Sequence, residues 1–194
     1  VFENDSSFVF IDRDDTIDSL QVQLNPLLKS TSNFRVAADK KGYSKNVKPG
    51  KYRLLKGLGN NEIINLLRSK RLAVKVVFNN QERLEDLAGR ISQQIDADSI
   101  SLLSAFYDTE FLSENGFTRD NALTLYLPNS YDFFWDTSAE DFRKKMLSYY
   151  NRFWNDSRRA KAATLGLKPQ EVSILASIVQ KESPKRDEQA RVAG

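Results

Sequence analysis

The residues best suited to chemistry lie in one short stretch, Ile174 to Ser183, which reads ILASIVQKES. On a helix at about 100° per residue, Val172, Leu175, Ile178 and Val179 share one face, and Glu182 falls within roughly 20° of Leu175. A carboxylate thus stands where folding alone favours an aliphatic side chain. Ser177, Gln180 and Lys181 lie on the opposite face, so a solvent side is available to a glutamate that needs only solvation. Pro184 biases Ser183 away from helical backbone and places Glu182 in the last turn. There the negative end of the helix dipole and apolar neighbours favour the uncharged acid. A glutamic acid that keeps its proton near neutral pH is what a general acid requires. The alternative is that Glu182 reaches past the helix end to water or to a basic partner.

The composition narrows what else can act. The 194 residues contain no cysteine and no histidine, which excludes disulfides, thiol nucleophiles, imidazole bases and Cys- or His-based metal sites. Catalysis must therefore run on carboxylates, hydroxyls or lysines, and no metal or cofactor is expected. With 40% hydrophobic and 28% charged residues the chain reads as an ordinary globular protein. A net charge of +3 is mild for this length, and no nucleic-acid recognition motif accompanies it, so no nucleic-acid partner is expected. No apolar run reaches membrane-spanning length, and the first residue is Val. The expectation is a piece cut from a longer precursor whose signal or anchor lies elsewhere.

Several elements must position that glutamate. Ser7–Ile11 reads as a strand, and Asp14, Asp15 and Thr16 are cap candidates for a helix carrying Ile17, Leu20 and Leu24. A second helix runs through Phe34, Val36 and Ala37 to Gly42, and Lys51–Leu54 is a second strand, giving a β-α-α-β unit. Asn60 or Asn61 caps a helix with Ile63, Ile64, Leu66 and Leu67, and Leu72–Phe78 is the strongest strand signal. From Asn79 the texture becomes helical: Gln81–Ile95, then a helix from Ser99 through Phe106, closed by Gly116. Leu123–Asp136 is an aromatic segment without helical period, read either as a strand or loop packed on the core or as a carbohydrate-facing surface. Ser138 and Asp141 suggest a capping box for one long helix, about 139–165, with Phe142, Met146, Tyr149, Tyr150 and Phe153 inward. Arg158, Arg159 and Lys161 read as its solvated face. Gly166 ends it, and Pro169 opens the helix that delivers Glu182. The fold class expected is α+β, with residues 1–78 as a small β-α-α-β domain and 79–194 as a mainly helical one.

Three blocks carry a resemblance to a known family. Residues 174–183 resemble the Leu-Ala-Ser-Ile-Val-Glu-Lys-Glu-Thr signature of the MltG-like, or YceG-like, endolytic murein transglycosylases. Leu127-Pro128-Asn129-Ser130-Tyr131 resembles that family's Phe-Pro-Asp-Thr-Tyr segment, and Pro49-Gly50-Lys51-Tyr52 its Ala-Gly-x-Tyr in a LysM-like region. The resemblance implies a LysM-like N-terminal domain followed by the first part of a catalytic domain. It implies a bacterial enzyme anchored in the inner membrane by a segment outside this chain and facing the cell wall. Its substrate would be peptidoglycan glycan strands and its partners the peptidoglycan synthases. The catalytic glutamate of the family carries onto Glu182, while its other signature glutamate corresponds to Gln180. The family domain continues, through Asn-Arg-Leu, Leu-Gln-x-Asp-Pro-Thr and Gly-Leu-Pro-Pro-Gly segments, past the point matching Gly194, so a fragment is expected.

Ordinary glycosidases flank the bond with two carboxylates about 5 to 9.5 Å apart. On the face of Glu182 the nearest other carboxylate is Glu171, eleven residues away and so about 16 Å along the axis. A lytic transglycosylase needs only one. By the resemblance, Ser183 would orient Glu182 or contact the sugar, with a plain helix-end cap as its other reading. Asn129, Ser130 and Tyr131 would line the cleft. Two other functions are weighed: a non-catalytic, peptidoglycan-binding LysM-like module, and a Ser-Lys hydrolase built on Ser177 and Lys181 at i and i+4. The second is disfavoured because both residues sit on the polar face, where nothing would deprotonate the lysine.

Overall fold

In a computed structural model, residues 5–183 and 186–192 are described; Pro184, invoked above as a helix stop, lies outside them. The protein is α+β, and it divides into two compact units. The first holds the chain up to Phe78 together with Gly89–Ser99 and Ser130–Ser138. The second holds Asn79–Ala88, Ile100–Asn129 and the chain from Ala139. Residue 78 is thus one of several crossings between the units rather than a single cut.

The first unit begins with strand β1 (Ser6–Ile11), antiparallel to β2 (Gly50–Leu55), with Phe8 opposite Arg53 and Phe10 opposite Lys51. Between them run helices α1 (Ile17–Leu24) and α2 (Thr31–Lys40). Thr16 and Ser19 cap α1 reciprocally, and the Ser30 hydroxyl accepts the Asn33 N–H at the start of α2. Helix α3 (Asn60–Ser69) follows β2, and the alternation of the strands turns Val9, Ile11, Tyr52 and Leu54 toward Leu20, Phe34, Ile64 and Leu67 in one core. Phe34 and Ala38 supply the inward face of α2, and Val36 is exposed. Strand β3 (Ala73–Phe78) pairs with β4 (Asn129–Phe134). The Gln94 side chain imitates a further strand, accepting the Val77 N–H at 2.8 Å and donating to the Val77 carbonyl at 3.0 Å.

Gly50 of the Pro-Gly-Lys-Tyr block has a physical reason to be glycine. Its φ is +142°, and a Cβ there would come within 2.7 Å of Arg71 Cδ. Arg71 lies across this glycine, bonds Asp136 at 2.6 Å and rests 3.8 Å from the centre of the Phe134 ring.

Helix α4 (Leu84–Ser92) is shorter than the 81–95 expected. In the second unit, α5 (Ser99–Phe106) and α6 (Thr109–Glu114) precede a 3₁₀ turn at Ala122–Leu125. The helix expected over 139–165 is two: α7 (Ala139–Phe153) and α8 (Asp156–Thr164). Asn155 breaks it, because its side chain accepts the Arg158 N–H at 3.0 Å and starts a new helix. Phe142, Met146 and Tyr150 are buried as expected, whereas Phe153, at the break, is exposed. Aromatic rings fill this core: Phe106 lies 4.5 Å from Tyr126 and 6.0 Å from Phe142, and Phe117 meets Tyr150 edge-on at 5.1 Å. Among the described residues, no helix is long and apolar enough to cross a membrane.

Candidate functional site

Helix α9 (Pro169–Glu182) is set by signals at both ends. Leu165 and Gly166 end α8, Gly166 with φ +70°, and Pro169 supplies a first helical residue that needs no N–H partner. The Glu171 carboxylate accepts the Lys168 N–H at 2.6 Å, closing the first turn. At the other end Ser183 leaves the helix in extended conformation, with φ −139° and ψ 117°. The chain then folds back as α10 (Arg186–Val192), which packs on α9.

Glu182 is the last residue of α9, as the sequence predicts. Its expected burial is overturned: Glu182 is exposed, and so are Leu175 at 47% and Ile178 at 51%. The helix is turned by roughly a quarter relative to the predicted orientation. Its packed side carries Val172, Ser173 and Val179, all half-buried, and the Gln170 amide donates to the Gly116 carbonyl at 3.0 Å. The polar face is also engaged: Asn80 donates to the Gln180 side chain, and the Lys181 ammonium meets Glu82 at 2.9 Å. That ion pair, chiefly its hydrogen bond, holds the Glu82 carboxyl below the usual range. In this orientation the apolar stripe Ile174, Leu175, Ile178 is left open with Glu182 among it. Among the described residues nothing covers this stripe.

Ser183 is 4% exposed, and its hydroxyl donates to Glu188 Oε2 at 2.8 Å. Its own N–H donates to the Val179 carbonyl at 3.1 Å, and its carbonyl accepts from the Gln189 amide at 3.1 Å. These bonds tie the α9–α10 turn together at Ser183.

Asn129 and Ser130 are exposed at the start of β4, but Tyr131 is buried, its ring stacked 5.7 Å from Phe78. That tyrosine builds the core of the first unit instead of offering its face to a sugar. Alternation along β4 is the reason: Tyr131 and Phe133 share the inward face. Ser130 and Tyr131 belong to the first unit and Glu182 and Ser183 to the second. Ser177 and Lys181 hold no dyad, since the Ser177 hydroxyl donates to the Ser173 carbonyl at 3.0 Å and Lys181 is paired with Glu82.

One polar cluster escapes the sequence reading. An open depression of about 460 Å³ in the second unit is lined by Ser104, Tyr107, Asp108, Arg119, Glu140 and Arg143. Arg143 is 6% exposed; its Nη1 donates to the Ala105 carbonyl at 2.6 Å and to Asp108 Oδ2 at 2.8 Å. Its guanidinium also lies 3.8 Å from the centre of the Phe111 ring. The hydrogen bond from Arg143 holds the Asp108 carboxyl below its ordinary range. Asp108 in turn caps α6 by accepting the Phe111 N–H. The pair ties α7 to the start of α6, while Arg143 Nε is buried without a hydrogen-bond partner among the described residues. The available signal was Arg143 set between the inward residues Phe142 and Met146.

Among curated proteins none matches this chain. A crystal structure at 2.6 Å of a yceG-like protein, lmo1499 from Listeria monocytogenes, is similar in fold, with a TM-score of 0.54 and 19% identity. The similarity covers 96% of this chain and 67% of that one. The family model described as the YceG-like family matches residues 9–194. With the α9 signature, the strand bearing the Pro-Asn-Ser-Tyr block and the glycine of the Pro-Gly-Lys-Tyr block each seated in a defined element, the chain belongs to the YceG-like family.

Proposed function

We propose that this protein contributes the acid/base of a lytic transglycosylase that cuts peptidoglycan glycan strands internally, with Glu182 as the single catalytic carboxyl. The observation that carries the reading is the placing of Glu182 at the end of α9, accessible and beside the open side chains of Leu175 and Ile178. Family membership supports it. A glycan laid along this stripe withdraws water from the carboxyl, the condition under which an acid holds its proton.

The chemistry needs one proton moved out and one moved back. Glu182 donates to the glycosidic oxygen between N-acetylmuramic acid and N-acetylglucosamine as the C1–O bond breaks. The neighbouring acetamido group of the substrate stabilises the oxocarbenium-like centre, as in substrate-assisted glycosidases. The carboxylate then takes the proton of the muramic C6 hydroxyl as that oxygen attacks C1, leaving a 1,6-anhydro end and consuming no water. Ser183 holds the turn that sets the direction of Glu182. The reading carries with it a bacterial protein anchored in the inner membrane and facing the cell wall.

The test is Glu182→Gln in the native protein, with release of anhydro-muropeptides from purified sacculi as the readout. Loss of a general acid lowers the rate by about 10²- to 10⁴-fold, while the melting temperature stays unchanged because the side chain is exposed. Release at the wild-type rate would refute the assignment. A second reading rests on the β-α-α-β unit, which shares one core with α3: a glycan-binding module without catalysis. Sacculus binding that survives in the variant, with no product released by either form, would favour it.

A further inference from the structure

The open face of the β1–β2 ribbon is unusual for a surface. Its cross-strand pairs are Ser6 with Leu55, Phe8 with Arg53 and Phe10 with Lys51. Phe8 is 50% exposed, Leu55 48% and Phe10 37%, so three large apolar groups stand together in water. The Lys51 ammonium sits 4.4 Å from the centre of the Phe8 ring and 5.3 Å from that of Phe10. Arg53 donates from Nε to the Ser6 hydroxyl at 3.1 Å. Trp135 meets Phe10 edge-on at 4.7 Å and keeps its indole N–H on Asp12 at 2.7 Å. None of the six ribbon residues facing this side is acidic.

We infer that this face is a docking surface for an anionic lipid bilayer, which it meets peripherally. Aromatic and aliphatic tips between cations are the pattern of interfacial insertion, in which rings enter the headgroup boundary and cations engage lipid phosphates. Trp135, half-buried with a bonded N–H, has the amphipathic form that suits the same boundary. A stacked sugar fits less well, because the Lys51 ammonium already lies over one face of each ring. A second copy would set Lys51 and Arg53 against their own likeness.

The test is sedimentation of this 194-residue chain with vesicles of phosphatidylcholine alone or mixed with phosphatidylglycerol. The chain should bind only the anionic vesicles and leave them at high salt. The double change Lys51→Gln with Arg53→Gln should weaken binding about thirty-fold, from the worth of two cations at an anionic surface. Phe8→Ala with Phe10→Ala should weaken it roughly tenfold; the cation double should melt as wild type, whereas the phenylalanine double gives up contacts with Lys51 and Trp135 and is compared at a temperature below its own melting point. Lys144→Gln with Lys161→Gln, equal in charge but elsewhere, should bind normally. Indifference of the chain to phosphatidylglycerol, or equal loss in the Lys144/Lys161 control, would overturn the inference. So would ribbon residues that govern sacculus binding or self-association in place of vesicle binding.

Discussion

At the scale of single residues, one hydrogen-bonded guanidinium supports the second unit. Arg143→Met should keep the packing against Phe111 but strand the Ala105 carbonyl, costing about 1–3 kcal/mol, read by urea denaturation. Its partner gives the acid limb a sign. The folded pKa of Asp108 is depressed, so its contribution is present above the unfolded carboxylate value and is lost as pH falls through the folded one. In Arg143→Met the steepness of acid unfolding should diminish, and an unchanged pH profile would contradict the pairing. Ser183→Ala removes the bond to Glu188 and should loosen the α9–α10 turn by about 1 kcal/mol. Amide exchange at Ser183 and in α10 should speed up while the core of α7 stays protected. Gly50→Ala should destabilise by about 1–2 kcal/mol, since it forces a Cβ against Arg71 at a backbone angle that side chains avoid.

Among elements, α9 shows how a helix chooses its face. Apolar periodicity points Leu175 and Ile178 inward, yet the packed side is the one bearing Val172, Ser173 and Val179, with Gln170 bonded to the Gly116 carbonyl. Covering an exposed leucine is worth about 1.5–3 kcal/mol only when something covers it, and within the described residues nothing does. Leu175→Ser and Ile178→Ser should therefore leave the melting temperature of this chain nearly unchanged. In the native protein the same changes should reduce anhydro-muropeptide release, if the stripe receives glycan. The α7–α8 break is a matter of one cap: Asn155→Ala should cost about 1 kcal/mol, measured by thermal unfolding. Asn155 followed by Asp156 is a helix-start signal; the aromatic and basic residues on both sides of it read as one continuous helix and hide it.

For the molecule as a whole, the buried tyrosines set the alkaline limit. Burial pushes the Tyr52 and Tyr150 hydroxyls up to about 12, and Tyr43 and Tyr126 higher still. Folded values above the unfolded one mean that the neutral phenols stabilise each unit fully below about pH 10, with that contribution lost as pH rises through 12. Tyr43 and Tyr52 serve the first unit, Tyr126 and Tyr150 the second. Chemical denaturation between pH 8 and 12 should show stability declining only above about pH 10.

Sequence alone determined the order and kind of most elements, the β-α-α-β core, the last-turn position of Glu182 and the family, because these rest on local periodicity, caps and contiguous motifs. Only the tertiary structure decided which face of α9 is packed, that Tyr131 stacks on Phe78, that Ser183 ties the α9–α10 turn together, and that the units exchange segments. Those outcomes depend on partners distant in sequence. β3 meets β4 across some fifty residues, and Gln180 meets Asn80 across a hundred. A periodic pattern records that a face is apolar, but it carries no information about whether another part of the chain is there to cover it.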